Sequence, residues 1–149
     1  MIVVLDTNIL ARGSISHGTA VATIIDAWRA KRFTLALSTH ILDELTRTLA
    51  KPYFARRLSP DQQAAYQLLL SSFATLVPIT ASVHGVATQP ADDLVLATAV
   101  SSDADYLVTR DRKLLQLGSY LGVTIASPTE FLARLESERG EGGGERNGE

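Results

Sequence analysis

The chain opens with an unbroken apolar run, Ile2, Val3, Val4 and Leu5, too short for a helix and rich in β-branched side chains. Such a run reads as a strand buried on both faces. It stops abruptly at Asp6, Thr7 and Asn8. The period then changes. Val21, Ile24, Ile25 and Trp28 fall at helical spacing within residues 18–31, which predicts an amphipathic helix. Residues 33–37 (FTLAL) predict a second strand. Ser38 or Thr39 caps a helix over residues 40–50 that Pro52 ends, and Ser59-Pro60-Asp61 opens another that runs to about Phe73. Residues 76–79 (LVPI) form a short apolar stretch whose Pro78 suits a sheet edge or a strand end. Residues 80–91 read as a loop. Residues 92–102 are apolar on nearly every side, so this helix should be buried. Tyr106 to Val108 predicts a strand, residues 112–117 a short helix, and Val123 to Ala126 the last strand. A cap at Ser127-Pro128-Thr129-Glu130 begins a final helix that ends near Glu136.

Strands that alternate with helices predict a parallel α/β sheet, here of about five strands, covered by helices on both faces. The helices between residues 40 and 73 follow each other without a strand, so they predict a helical hairpin outside the sheet. At 149 residues the length fits one domain. Its expected extent is residues 1–136, followed by a glycine- and glutamate-rich tail, 137–149, expected to be disordered. No internal repeat is visible.

Composition narrows the chemistry. The absence of cysteine removes disulfides, thiolate metal sites and cysteine nucleophiles. No apolar stretch reaches membrane-spanning length and no basic segment precedes the first strand, so no membrane association is expected and a cytoplasmic location is. The formal net charge of −2 argues weakly against a general nucleic-acid binder, but it is unevenly spread. Residues 136–149 carry five acids against two bases, and the remaining 135 residues hold eleven acids and twelve bases. If four of those eleven acids bind metal, the rest of the surface is basic.

The acids are where the chemistry concentrates. Asp6 stands at the C-terminal end of a buried strand, the edge at which open parallel sheets bind ligands. Asp111 follows a second buried strand (YLVTRD) and belongs on the same edge. Asp92 and Asp93 begin a buried helix, and helices of right-handed crossovers start on that edge too. On a helical wheel of residues 40–50, Ile41, Leu42, Leu45 and Leu49 form one stripe. Glu44 flanks it, whereas Asp43 and Arg47 point away. Taken singly, each acid also has an ordinary reading as an Asx turn, a helix cap or a solvated side chain. Together, four or five carboxylates converging on one cleft need a cation among them. Oxygen ligands without Cys or His favour Mg²⁺ or Mn²⁺, and the chemistry expected there is metal-assisted phosphodiester hydrolysis.

The run IVVLDTNIL, the acid in LDEL, PADDLVLATAV, and ADYLVTRD with LL shortly after resemble, in that order and spacing, the PIN domain family. The resemblance spans residues 1–135 and is closest to the VapC-like ribonucleases of bacterial and archaeal toxin–antitoxin pairs. It implies a three-layer α/β/α fold, Mg²⁺- or Mn²⁺-dependent endoribonuclease activity and a catalytic acidic quartet. Matched by motif, the first acid is Asp6, the second Glu44 and the fourth Asp111. Registering VLATA puts the third on Asp92, with Asp93 as a further ligand or outer-shell acid. On this reading Asp6, Asp92 and Asp111 hold the principal metal, Glu44 joins it or a second one, and Glu44 or Asp92 acts as general base. The small polar residues of the family match Thr7, Asn8 and Thr109, which would orient the acids from behind. Arg110 departs from the small residue common at its position.

An RNA backbone needs cationic contacts, for which Arg47, Lys51, Arg110 and Arg112 are the candidates. Arg56, Arg57 and Lys113 lie nearby, and Tyr53 and Phe54 offer stacking faces, though these aromatics also read as packing of the hairpin. His17, His40 and His84 lack ligand spacing and read as surface or capping residues. The resemblance further implies a cognate antitoxin that covers the cleft, and a homodimer. Leu68, Leu69, Leu70 and Phe73 could serve either contact or the core. Two other functions stay open: a PIN nuclease of RNA maturation or DNA repair, and a non-catalytic α/β module. A phosphoacceptor receiver is disfavoured, because its acid pair belongs on the first strand and a lysine should follow a late strand.

Overall fold

The computed structural model describes the backbone of residues 1–147 and the side chains of residues 1–138. The chain begins with β1 (Ile2–Leu5), α1 (Thr7–Gly13), α2 (Ala20–Arg29) and β2 (Thr34–Leu37). Then come α3 (Thr39–Leu49), α4 (Pro52–Ala55), α5 (Pro60–Phe73) and β3 (Thr75–Leu76). The second half holds α6 (Pro90–Ser101), β4 (Tyr106–Val108), α7 (Arg112–Leu117), β5 (Ser119–Tyr120), β6 (Val123–Ala126) and α8 (Pro128–Asn147).

The six strands form one sheet in the order β3-β2-β1-β4-β6-β5. All neighbours are parallel except β5, which runs antiparallel to β6. Successive residues of a strand point to opposite faces. Val3, Val4 and Leu5 are all fully buried, as are Leu107 and Val108, and Leu35, Ala36 and Leu37 nearly so. Both faces of the central strands are therefore covered, and the fold is a three-layer α/β/α sandwich. The mean strand run is apolar without alternation for this reason.

Local sequence explains the element ends. Ser38 caps α3 by accepting the Ile41 N–H. Ser59 and Gln62 make a reciprocal capping box at α5, with Pro60 in its first turn. Gln63 on α5 donates to the Leu49 carbonyl, and Thr46 bonds Gln67, so α3 and α5 lie side by side as the expected antiparallel hairpin. α6 is buried around most of its circumference and lies on β1, β2 and β4. Among the described residues no helix is long and apolar enough to cross a membrane.

Several elements depart from the sequence expectation. The sheet has six strands, not about five. The extra one, β5, is a two-residue arm folded back on β6 through Leu121 (φ 45°) and Gly122 (φ 85°), a turn in which both central residues take positive φ. The strand expected at 76–79 is Thr75–Leu76, at the sheet edge. Val77 still donates to the Leu37 carbonyl, but Pro78 has no N–H to continue the ladder. α1 was not expected. Asp6 caps it, and Ile9, Leu10 and Ala11 are driven fully into the core. Pro52 does more than end α3: it opens the single turn α4. The backbone of α8 continues to Asn147, past the helix end expected near Glu136. Residues 148–149 of the expected tail lie outside the described residues.

Phe131 locks α8 to the sheet. Its ring is fully buried, edge-on to Phe33 at 5.5 Å and tilted on Tyr106 at 5.3 Å. Phe131→Ala should cost about 3–5 kcal/mol, the range for removing a buried aromatic. Urea unfolding would measure this as a lower midpoint with an unchanged slope.

Candidate functional site

The sheet connections reverse direction between β1 and β4. The chain leaves β1 toward β2 on one side and returns to β4 on the other, which opens a crevice beyond the carboxyl ends of these two strands. Asp6 is the first residue past β1. Its N–H continues the ladder by donating to the Val108 carbonyl at 3.0 Å, which fixes the residue at the crevice floor. One carboxylate oxygen accepts the Thr7 N–H at 2.7 Å and the other the Thr109 hydroxyl at 2.8 Å. The residue is 5% exposed. Burial pushes its carboxyl above the usual range, the bonds from Thr109 and Thr7 oppose that, and the charges of Glu44 and Asp111 add to the rise.

Thr109 is fully buried at the end of β4. Its hydroxyl donates to Asp6 and accepts the Asp111 N–H at 3.0 Å, so one oxygen sets the relative position of the first and fourth acids. Asp111 caps α7, accepting the Leu114 N–H at 3.0 Å and the Thr88 N–H at 3.1 Å. Partial burial raises its carboxyl, but bonds from the Leu114 and Thr88 backbones, the Thr88 side chain and the Lys113 backbone outweigh that and hold it below the carboxylate range.

Glu44 reaches the same crevice from α3, as the wheel of residues 40–50 predicts. Its Oε2 accepts the Thr7 hydroxyl at 3.0 Å. His40, one turn earlier, places Nε2 3.4 Å from that oxygen and 3.1 Å from the Ala91 carbonyl oxygen. The sequence reads His40 as a surface or capping residue; the structure sets its ring against Glu44 and the Ala91 carbonyl. The available signal was its i, i+4 spacing to Glu44.

Asp92 and Asp93 are adjacent on the first turn of α6 but face different surroundings. Asp93 is 6% exposed and accepts three backbone N–H groups, from Gly85 (2.9 Å), Val86 (3.0 Å) and Ala87 (2.7 Å). Gly85 takes the left-handed conformation (φ 69°) that turns these amides toward one carboxylate. Asp93 thus anchors the loop before α6. The Asp92 carboxylate accepts no hydrogen bond among the described residues. Burial, then the charges of Asp6, Asp111, Glu44 and Asp93, push its carboxyl up to about 7.

The remaining expected residues are peripheral. Asn8 is exposed, and the oxygens of Asp6 are taken by Thr7 and Thr109 instead. Arg47, Lys51, Arg110 and Arg112 are exposed. Arg57 lies 3.8 Å over the Tyr53 ring, and Tyr53 meets Phe54 edge-on at 5.1 Å, so the hairpin aromatics pack on their own neighbours.

Among the described residues no Lys or Arg forms an ion pair with any of the five site acids. Their buried polar atoms do not lack hydrogen bonds. What is missing from the cluster is positive charge. Carboxylate oxygens in this number fit a hard divalent cation such as Mg²⁺ or Mn²⁺. Among the described residues no three His, Asp or Glu side chains are gathered into a chelate, so the acids are joined here through charge and hydrogen bonds.

These charges set a pH dependence. The Asp92 proton is held more tightly in the folded chain, about 7 against 3.8, so the folded state binds more protons between those values and stability falls as pH rises through that window. Asp92→Asn should therefore raise Tm at pH 7.5, by about 2–4 °C for each kcal/mol relieved. The gain should vanish below pH 4, and Mn²⁺ should raise the Tm of the wild type more than that of the variant. Asp93→Ala should act oppositely. It leaves the buried Ala87 N–H without an acceptor and should cost about 1–3 kcal/mol in thermal or urea unfolding.

Comparison with known proteins agrees with this architecture. The fold is similar to that of VapBC2 from Rickettsia felis, solved bound to a DNA fragment from its promoter, with a TM-score of 0.57, 19% identity, and 84% of this chain and 97% of that chain covered. It is similar to Mycobacterium tuberculosis VapC20, a Sarcin-Ricin loop cleaving toxin (TM-score 0.57, 18% identity, 80% and 97% covered). It is also similar to FitAcB from Neisseria gonorrhoeae (TM-score 0.51, 17% identity, 85% and 97% covered). At these identities the likeness is one of fold. No curated protein is similar enough in sequence to match. The sequence profile of the PIN domain matches residues 2–113. Because that match takes in every strand through β4 and the turn that carries Asp111, the chain belongs to the PIN domain family.

Proposed function

We propose that the protein is an endoribonuclease that hydrolyses RNA phosphodiester bonds at Asp6, Glu44, Asp92 and Asp111 with Mg²⁺ or Mn²⁺, and that it is the toxin of a toxin–antitoxin pair. The observation that carries this reading is the gathering of Asp6, Glu44, Asp92 and Asp111 at one sheet edge, where among the described residues no Lys or Arg is paired to any of them, and where burial and four neighbouring carboxylates push the Asp92 carboxyl up to about 7. An arrangement that unfavourable is retained where a divalent cation and a phosphate are to be bound. Membership of the PIN family and the fold shared with the VapC20 toxin support the same activity.

Asp6, Asp92 and Asp111 would hold the cation, with Glu44 beside them. The cation, when bound, supplies positive charge for the phosphoryl oxygens and makes water a better nucleophile. The chain's own residues do the positioning. Thr109 keeps Asp6 and Asp111 in register, and Thr7 ties Glu44 to the strand end that carries Asp6. Among the described residues Asp92 is the acid neither of whose oxygens accepts a hydrogen bond, so it is the group that can take the proton of the attacking water. Asp93, with both oxygens engaged by amides, serves as the anchor of the 85–87 loop. Arg47, Lys51, Arg110 and Arg112 are exposed and would contact RNA phosphates.

An antitoxin and a second copy of the chain are the partners this reading entails, in the cytoplasm. Leu68, Phe73 and Leu76 are large apolar side chains left more than half exposed on α5 and β3, and they support a protein contact there.

The test is cleavage of structured and single-stranded RNA with Mn²⁺, with Mg²⁺ and with EDTA. Cutting should require the metal. Asp6→Asn should lower the rate by more than about 100-fold, beyond the loss of an outer-shell partner, while its Tm stays equal or rises because a buried charge is gone. Equal cutting in EDTA, or by Asp6→Asn, would overturn the assignment.

A further inference from the structure

His40 is not used by the nuclease reading, yet it touches two of its acid-bearing elements. Its Nε2 lies 3.1 Å from the Ala91 carbonyl oxygen and 3.4 Å from Glu44 Oε2. Both neighbours are acceptors. With Nε2 carrying the ring proton, His40 donates to the Ala91 carbonyl and lies in contact with Glu44 Oε2. Ala91 is the residue before Asp92, so its carbonyl fixes the first turn of α6. Glu44 Oε2 also accepts the Thr7 hydroxyl, and the Thr7 N–H binds Asp6. A continuous line of contacts thus runs from Asp6 through Thr7, Glu44 and His40 to the peptide that precedes Asp92. It joins three acids borne by three separate elements.

The position is hard to explain otherwise. His40 is the second residue of α3, whose N-terminus is capped by Ser38 and not by the imidazole. Its side chain is 19% exposed, with the Ala91 carbonyl and Glu44 against the ring. It places Nε2 against Glu44 Oε2, the same oxygen that accepts the Thr7 hydroxyl. The other carboxylate oxygen, Oε1, takes no hydrogen bond among the described residues.

We propose that His40 is a positioning residue, which sets the rotamer of Glu44 and the separation of α3 from the start of α6 so that Glu44 and Asp92 address the same cation. The inference rests on the nuclease reading for one of its measurements but not for the other.

The test compares wild type, His40→Ala and His40→Gln in two assays: steady-state RNA cleavage, and Mn²⁺ binding to the free protein by calorimetry. Glutamine places an amide N–H close to where Nε2 stands. His40→Ala should lower kcat about tenfold with KM within about twofold, and weaken Mn²⁺ binding by a similar factor, the scale seen when a partner of a ligating side chain is lost. His40→Gln should recover most of both. Cleavage and Mn²⁺ affinity of His40→Ala within about twofold of wild type would overturn the role, as would losses that glutamine leaves unrepaired. If the wild type binds Mn²⁺ but cuts no RNA, the nuclease reading fails alone, and the calorimetric comparison still decides the role of His40. A wild type that binds no Mn²⁺ overturns both.

Discussion

The hydroxyl of Thr109 is the contact on which the site depends. It lies fully buried between the ends of β1 and β4, donates to Asp6 and accepts from the Asp111 backbone. A buried carboxylate without a hydrogen-bond donor would cost several kcal/mol. Thr109 and the Thr7 N–H offset part of that cost, though burial still leaves the Asp6 carboxyl above its usual range. They do so only because two parallel strands end side by side at the point where the sheet connections reverse. The sandwich, with apolar residues on both faces of β1 and β4, holds those strand ends still.

Hydrogen bonding and charge are treated differently here. Asp6, Asp93 and Asp111 each accept two or more donors, and no buried polar side-chain atom is left unpaired among the described residues. The negative charge, by contrast, is paired with no Lys or Arg among the described residues. Folding therefore concentrates carboxylates against their mutual repulsion, and Asp92, with no donor, absorbs the strain by holding its proton to about pH 7. A cation that binds this crevice relieves the repulsion, so occupancy and stability are linked. The neighbouring pair on α6 divides the labour. A rotation of about 100° along the helix turns one acid to the crevice and the other to the amides of residues 85–87.

The exposed apolar residues on α5 and β3 and the exposed bases around α3 and α7 lie outside this network.

Much of this was legible in the residues. Uniformly apolar runs at residues 2–5 and 106–108 dictated strands buried on both faces. Their Asp and Thr-Arg-Asp ends dictated acids on one edge, and the wheel of α3 turned Glu44 inward. Those features depend on periodicity and on the handedness of parallel crossovers, which act locally or by general rule. The elements not foreseen are short ones. α1 and α4 are a turn or two whose formation rests on burial of Ile9, Leu10 and Phe54, and β5 exists only through pairing with β6. The family motif separates Asp92 from Asp93, but the residues alone do not show why, because the anchoring of Asp93 depends on where a loop six to eight residues earlier places three amides. His40 could not be separated from an ordinary surface histidine without the Ala91 carbonyl, fifty-one residues away in sequence, beside it. The sequence by itself determined the sheet, the family motifs and the edge on which the acids gather. Only the tertiary structure decided which acid is left free, which is tied down and which histidine joins them, since contacts between distant segments are set by packing and not by local pattern.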